Sequence, residues 1–242
     1  MSAVSEPGRS RVACIIPAFN EGARIGAVLD AVVGHPMVDE VIVVDDGSTD
    51  QTASVVSKTH GVRLIIQPTN QGKTRALLAG FEAAAGDLIL LLDADLEGLT
   101  PDHLTRLLQP VLSGRADISI SLRQNAPRIW RLIGIDYISG ERVLHKSLLA
   151  KAMAELTTLP NFGFEVFLNQ ICVTNACRIA VVQWPGVSSP FKKSKYGLIT
   201  GIRSDIRMMR DIFRTIPPLS LVGQIWAMRR LRLPFKALEQ KP

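Results

Sequence analysis

Asp93, Asp95 and Glu97 stand at alternate positions after an uninterrupted apolar run, Leu88 to Leu92. The run is too short to cross a membrane and reads as a strand buried on both faces. Alternate residues of an extended chain point the same way. The three carboxylates are therefore expected to converge at the carboxyl end of that strand, the edge where open α/β sheets bind ligands. Such crowding calls for a cation. Mg²⁺ or Mn²⁺, hard ions with oxygen ligands, would answer it and hold substrate phosphates in turn. A strand followed by a solvated acidic turn is the plainer reading of the same residues.

Two further motifs end neighbouring apolar strands. Pro17-Ala18-Phe19-Asn20-Glu21 follows Val12 to Ile16, and Asp45-Asp46-Gly47-Ser48-Thr49-Asp50 follows Val41 to Val44. Glu21, Asp45, Asp46, Asp93, Asp95 and Glu97 would then share one rim, a costly arrangement unless cations or hydroxyl donors compensate it. A carboxylate there can accept bonds from a ribose or a base edge while a metal neutralises a diphosphate. Asp50 reads as a helix cap, and Asp45 and Asp46 as ligand-binding. Asn70-Gln71-Gly72-Lys73-Thr74 raises the question of a P-loop, but the required glycine five residues before Gly72 is Gln67. The NTPase reading is rejected, while Lys73 can still meet a phosphate at a helix N-terminus. No G-x-G-x-x-G follows a strand, so a dinucleotide site is unsupported.

The elements that must position these residues alternate. Strands are expected at 12–17 (ended by Pro17), 40–45, 62–67, 87–92, 117–122 and 180–184. Helices are expected at 20–33 with Asn20 as N-cap, 52–59, 73–85, 101–112 capped by Thr100, and 165–174. The stretch 135–155 carries a turn at Ser139-Gly140 and a helix after Lys146. Alternating strands and helices imply a mostly parallel sheet wound in right-handed βαβ units. The 242 residues suffice for one large α/β domain, and 47% apolar against 21% charged residues excludes wholesale disorder. Cys14, Cys172 and Cys177 show neither zinc spacing nor a disulfide framework, which suits reduced thiols. The polar N-terminus, 1–10, lacks the apolar core of a leader and is expected to be a loose tail.

The four motifs, Ile15 to Glu21, Val43 to Asp50, Asn70 to Lys73 and Leu92 to Asp95, follow the order seen in inverting family 2 glycosyltransferases of the GT-A fold. The chain most resembles the branch of dolichyl-phosphate mannosyltransferases and bacterial polyprenyl-phosphate glycosyltransferases. Asp136-Tyr137-Ile138-Ser139-Gly140-Glu141-Arg142 is similar to that branch's D-x-x-S-G-[FY]-R segment. Gly163-Phe164-Glu165-Val166 and Ser194-Lys195 with Gly197 are similar to its later motifs. The resemblance covers roughly residues 11 to 215. It implies a three-layer, Rossmann-like GT-A domain over 11–198. It also implies that Pro17, Phe19, Glu21 and Asp46, with Asp45 nearby, hold the nucleoside, and that Asp93 and Asp95 hold metal and diphosphate. Glu97 falls where the family usually has Gln, also a ligand. Three departures stand out: Glu141 replaces an aromatic residue, Thr74 a common Gly, and Lys192-Lys193 occur where Arg is expected.

Charge is uneven. Residues 1–189 carry 16 Lys+Arg against 19 Asp+Glu, and residues 190–242 carry 12 against 3. Ile202, Ile206, Met209 and Phe213 form an apolar stripe flanked by Arg203, Arg207, Arg210 and Arg214, and Arg229-Arg230-Leu231-Arg232 forms a second basic cluster. Residues 199–242 are therefore expected to be basic amphipathic helices lying on an anionic membrane surface, with nucleic acid excluded for want of stacking aromatics. The expected reaction is transfer of a sugar from a UDP- or GDP-sugar to a polyprenyl phosphate, by a peripheral protein on the cytoplasmic face. Asp95, Asp136 and Arg142 are the catalytic candidates. Arg123, Arg128 and Lys195 are candidates for the acceptor phosphate, the first two by their place after a strand. If the acceptor is a hydroxyl, a carboxylate base is required, and Asp136 is the first candidate. A soluble transferase acting on a sugar or protein hydroxyl, a nucleotidyltransferase and an inactive binding module are the alternatives.

Overall fold

The computed structural model describes residues 10–126, 128–150, 163–189 and 217–234. The strands are β1 (Val12–Ala18), β2 (Glu40–Asp45), β3 (Val62–Ile66), β4 (Leu88–Leu91), β5 (Ile118–Arg123), β6 (Arg142–His145) and β7 (Ile179–Trp184). The helices are α1 (Ile25–Val32), α2 (Thr52–Ser57), α3 (Lys73–Ala83), α4 (Pro101–Leu112), α5 (Arg128–Ile133), α6 (Lys146–Ala150), α7 (Phe164–Thr174) and α8 (Pro218–Leu231). The seven strands form one sheet in the order β3-β2-β1-β4-β6-β5-β7. Six run parallel; β6 is antiparallel to both of its neighbours.

Alternation along β1 explains the three layers. Ala13 and Ile15 join α3, α7 and Met228 of α8 in one core, whereas Val12, Cys14 and Ile16 join α1 and α4 in the other. The expected α/β architecture is therefore present. Pro17 does not end β1, which continues to Ala18. The β4 ladder reaches only Ile15, so at Pro17 the strand is paired on its β2 side alone and one missing N–H is tolerated.

Three expectations are corrected. The first helix begins at Ile25 rather than Asn20, because Asn20 adopts a left-handed φ of 56° and Glu21 to Arg24 form a turn. Asn20 instead joins two loops: its N–H donates to Ser48 Oγ and its Oδ1 accepts from the Thr49 N–H. The second correction is β6, four residues bounded by Arg142 and His145 that carry no strand period. The third is α5, a six-residue helix too short for its sequence to show a helical period. The Thr100 cap is as expected, completed by His103 in a capping box, a device that contributes about 1 kcal/mol.

The expected tail, Lys192-Lys193, the Ser194-Lys195 motif with Gly197 and the helix over Ile202 to Phe213 lie outside the described residues. Of the segment expected over 199–242, α8 and the residues up to 234 are described.

Candidate functional site

Because β6 runs backwards, its amino end meets the carboxyl ends of the other strands. Arg142, its first residue, lies beside Leu91 of β4 and Ile120 of β5. This reversal delivers the segment from Asp136 to Arg142 to the rim where β1, β2 and β4 end.

At the end of β2 the two aspartates divide. Asp45 Oδ1 accepts from the Ser48 N–H at 3.1 Å, closing the turn. Gly47 holds φ +69°, and a Cβ there would come within 2.6 Å of the Thr69 backbone. That close approach brings the β3–α3 loop over β2. Asp46 then clamps it, accepting from the N–H groups of Gln71 and Gly72, each at 2.8 Å. Burial raises the pKa of Asp46, the two N–H groups oppose that rise and Asp45 adds to it. Asp46 was expected to hold a nucleoside; in this structure both of its oxygens hold main chain. Asp50, expected as a cap, accepts from the Thr52 N–H at the start of α2 and from the Gly22 N–H.

The clamped loop opens α3, and its first residue, Lys73, reaches across the rim. Lys73 Nζ lies 2.7 Å from Asp93 Oδ1 and 2.8 Å from Glu165 Oε1 on α7. Burial disfavours the ammonium, but the two carboxylates outweigh it and its pKa is raised. Burial would raise the pKa of Asp93; Lys73 overcomes this and the pKa is lowered. Asp93 fits only because residue 140 is glycine: a Cβ there would lie 2.6 and 2.7 Å from the two carboxylate oxygens. Pro17, Lys73, Asp93, Gly140, Arg142 and Glu165 line a small cleft at this point.

Behind it lies a buried polar web. Arg123 Nη1 sits 3.3 Å from Glu141 Oε1, its Nη2 3.8 Å from Asp136 Oδ2, and Nη1 also donates to Ser189 Oγ. Ser121 Oγ and Ser139 Oγ donate to Glu141 Oε2 at 2.6 and 2.9 Å. Burial raises the pKa of Glu141, with Arg123 opposing. Asp136 is fully buried, and burial raises its pKa while Arg123 opposes that rise. Arg142 is also fully buried. It donates to the carbonyls of Ser139 and Tyr137 and to Asn169 Oδ1. Those contacts make it a brace between β6 and α7.

The expected cage of Asp93, Asp95 and Glu97 does not form. The chain turns at Ala94 and Asp95, so the alternation of an extended strand is lost. Asp93 faces Lys73. The Glu97 main chain pairs with Ser188 in both directions, at 2.8 and 3.0 Å, and its exposed carboxylate lies 3.7 Å from Arg24, itself 3.6 Å from Glu21. Among the described residues no three His, Cys, Asp or Glu side chains are grouped to hold a metal ion. Asp95 lies half-buried in the turn, close enough to Arg123 to help raise its pKa. A hard cation held by the single carboxylate of Asp95 and by substrate oxygens fits this donor set; a three-carboxylate cage does not.

Of the other expected residues, Phe19 is exposed at the end of β1, and Glu21 is buried beneath the β2 turn, where its N–H donates to Thr52 Oγ1. Arg128 opens α5, its side chain outside the described set, as is Lys195. Lys73 pairs with Asp93 and Glu165, while Ser139 binds Glu141 and shares Arg142 with Asn169. Glu165 and Asn169, at i and i+4 on one face of α7, carried a signal for this. Ser121 on β5 carried none.

Residues 13–169, which hold every rim motif, match the family model described as glycosyl transferase family 2. The undecaprenyl-phosphate 4-deoxy-4-formamido-L-arabinose transferase of Aeromonas hydrophila is 34% identical over 128 residues, which is 49% of this chain and 39% of that protein. The dolichyl-phosphate beta-glucosyltransferase of Trichomonas vaginalis is 38% identical over 105 residues, 38% of this chain and 31% of that protein. The chain thus matches under half the length of these relatives. Glucosyl-3-phosphoglycerate synthase from Mycobacterium tuberculosis, solved with Mn²⁺, UDP and glucosyl-3-phosphoglycerate, superposes with a TM-score of 0.68 at 24% identity. It covers 90% of this chain and 81% of that one, and the likeness shows the fold.

Proposed function

The chain belongs to glycosyl transferase family 2, and on that premise we propose an inverting, metal-dependent transferase that moves a sugar from a UDP- or GDP-sugar to a polyprenyl phosphate. It would act as a peripheral protein on the cytoplasmic face of a membrane. The observation that carries the reading is the rim itself: the loops after β1, β2 and β4 and the start of β6 gather acids and Lys73 around one cleft. The acceptor is taken from the two lipid-phosphate transferases that the chain resembles.

In this reading Pro17, Phe19, Glu21 and Asp45 receive the nucleoside, with Asp46 supporting them through the 70–72 loop. Lys73 holds Asp93 and Glu165 in place and keeps a positive charge where the diphosphate lies. Asp95 would hold Mg²⁺ or Mn²⁺, which when bound supplies Lewis-acid stabilisation of the departing diphosphate. A phosphate acceptor is already ionised near neutral pH and needs cations rather than a base. Arg123 shares its charge with Glu141 and Asp136, and Arg128 and Lys195 remain the candidates for binding the acceptor phosphate. Arg142 braces β6 so that Gly140 can meet Asp93.

One observation favours a second reading, a hydroxyl acceptor: the Asp136 carboxylate, 3.8 Å from Arg123, has a pKa raised by burial that suits a general base. The deciding experiment supplies UDP- and GDP-sugars with Mn²⁺ or Mg²⁺ and offers a short polyprenyl phosphate beside a sugar alcohol. Mass spectrometry then locates the sugar. Sugar on the lipid phosphate supports the lead reading; sugar on the hydroxyl compound alone overturns it.

A further inference from the structure

Helix α8 has two unlike faces. Leu221, Ile225 and Leu231 pack against the core together with buried Gln224 and Met228. On the opposite face Val222 is 54% exposed and Trp226 57% exposed. Exposing a tryptophan in this way is unusual in a chain with 47% apolar residues and a well-packed sheet. The guanidinium of Arg229 lies over the Trp226 ring, 5.5 Å from its centroid. Arg230 is exposed beside it.

The segment of α5 is tied to α8. Tyr137, stacked on Trp130 of α5, donates to Gln224 of α8. Beyond α5, the Gly134 carbonyl accepts from Arg232 Nη1 at 2.8 Å. These two ties join the chain just after α5 to α8 and to the residue that follows it. Leu132 is 84% exposed on α5, with exposed Arg131 next to it. Three of the five large apolar side chains exposed among the described residues thus belong to this pair of helices. Arginine is the only ionisable residue type within either helix, Arg128 and Arg131 on α5 and Arg229 and Arg230 on α8, with Arg232 following.

We infer that the outer face of α5 and α8 docks on an anionic lipid bilayer, with Trp226, Val222 and Leu132 entering the headgroup layer and Arg131, Arg229 and Arg230 meeting lipid phosphates. Charge complementarity selects this occupant. A second copy of the same face would oppose arginine to arginine, and an apolar partner would leave the guanidinium groups without counter-ions. A tryptophan among arginines places an amphipathic ring at the depth where such rings settle. The inference gives the membrane contact of the proposed function a definite surface, but vesicle binding needs no acceptor and is read separately from transfer.

The test uses the full chain in co-sedimentation with vesicles of phosphatidylcholine alone and with about one-third phosphatidylglycerol. Binding to the anionic vesicles and not to the neutral ones is expected. Arg229→Gln with Arg230→Gln weakens it by about fivefold per arginine removed. Trp226→Ser with Val222→Ser weakens it at least tenfold, and Trp226→Phe restores most of the loss. All variants keep the far-ultraviolet dichroism and melting point of the parent, because the replaced side chains are exposed. Quenching of tryptophan emission by brominated lipid is expected to disappear in Trp226→Phe. Equal binding by parent and variants overturns the inference, as does equal binding to neutral vesicles. A change of oligomeric state in the Trp226→Ser, Val222→Ser variant also overturns it, in favour of a second copy. Failure of sugar transfer to a polyprenyl phosphate, with vesicle binding intact, overturns the acceptor reading alone.

Discussion

Gly140→Ala isolates the contact on which the rim depends. The φ of Gly140 is outside the left-handed region, so the backbone accepts alanine and only the added methyl is tested. Its Cβ would stand 2.6 Å from Asp93 Oδ1, whereas ordinary contact begins near 3.4 Å. The carboxylate must withdraw by about 0.8 Å, which brings the 2.7 Å Lys73–Asp93 contact to the limit of a hydrogen bond. A hydrogen bond between charged groups contributes about 1.5–3 kcal/mol, and less here because both side chains keep about a quarter of their exposure. For a domain of this size a loss of about 1–2 kcal/mol lowers the melting temperature by roughly 2–8 °C. Activity falls further, since a displacement approaching 1 Å at a positioned group costs on the order of 100-fold. Differential scanning fluorimetry and initial rates of sugar transfer give the two readouts. A Gly140→Ala protein that melts within a degree of the parent and retains full kcat/KM would refute the claim that this approach builds the site.

The remaining predictions concern the same rim. Asp95→Ala is expected to abolish the Mn²⁺ dependence of UDP binding in calorimetry, whereas Glu97→Ala leaves it intact because Glu97 faces Arg24; retained dependence in Asp95→Ala places the metal elsewhere. Asp136→Asn is expected to stabilise the protein at pH 7, by about 1.4 kcal/mol for each unit by which burial raises the native pKa. An acid with a raised native pKa costs stability as pH rises from its unfolded value through its native one, so the gain should vanish below about pH 3.8. A melting point unchanged at pH 7 contradicts the assignment. Asp46→Ala strips the Gln71 and Gly72 N–H groups of their acceptor, and an unsatisfied buried donor costs about 1–3 kcal/mol. Its melting point is expected to fall and its UDP affinity to weaken, and calorimetry showing unchanged affinity would detach the 70–72 loop from the nucleotide site. Lys73→Met leaves Asp93 and Glu165 facing each other without a cation, and chemical denaturation is expected to report a larger loss of stability than for Gly140→Ala.

Local chemistry alone was enough to specify the parallel part of the sheet. Val41 to Val44 and Leu88 to Leu91 are apolar without interruption because both of their faces are covered, and that property is written in consecutive residues. The Thr100 cap with Pro101 is equally local, and so is the order of the rim motifs. What could not be read were relations between distant residues. Leu88 to Leu92 is extended and Asp93 to Glu97 is not, but only the Glu97–Ser188 pairing shows where the chain turns, and with that turn the expected three-carboxylate cage disappears. Asp46 could equally meet a ligand or a loop until the fold set Gln71 and Gly72 against it. Above all, β6 is four residues long and owes its existence to β4 and β5 on either side. Its reversed direction brings Gly140 to Asp93, Glu141 to Arg123 and Arg142 to Asn169. Burial between the sheet and its covering helices, which no local pattern encodes, gives those polar contacts their strength.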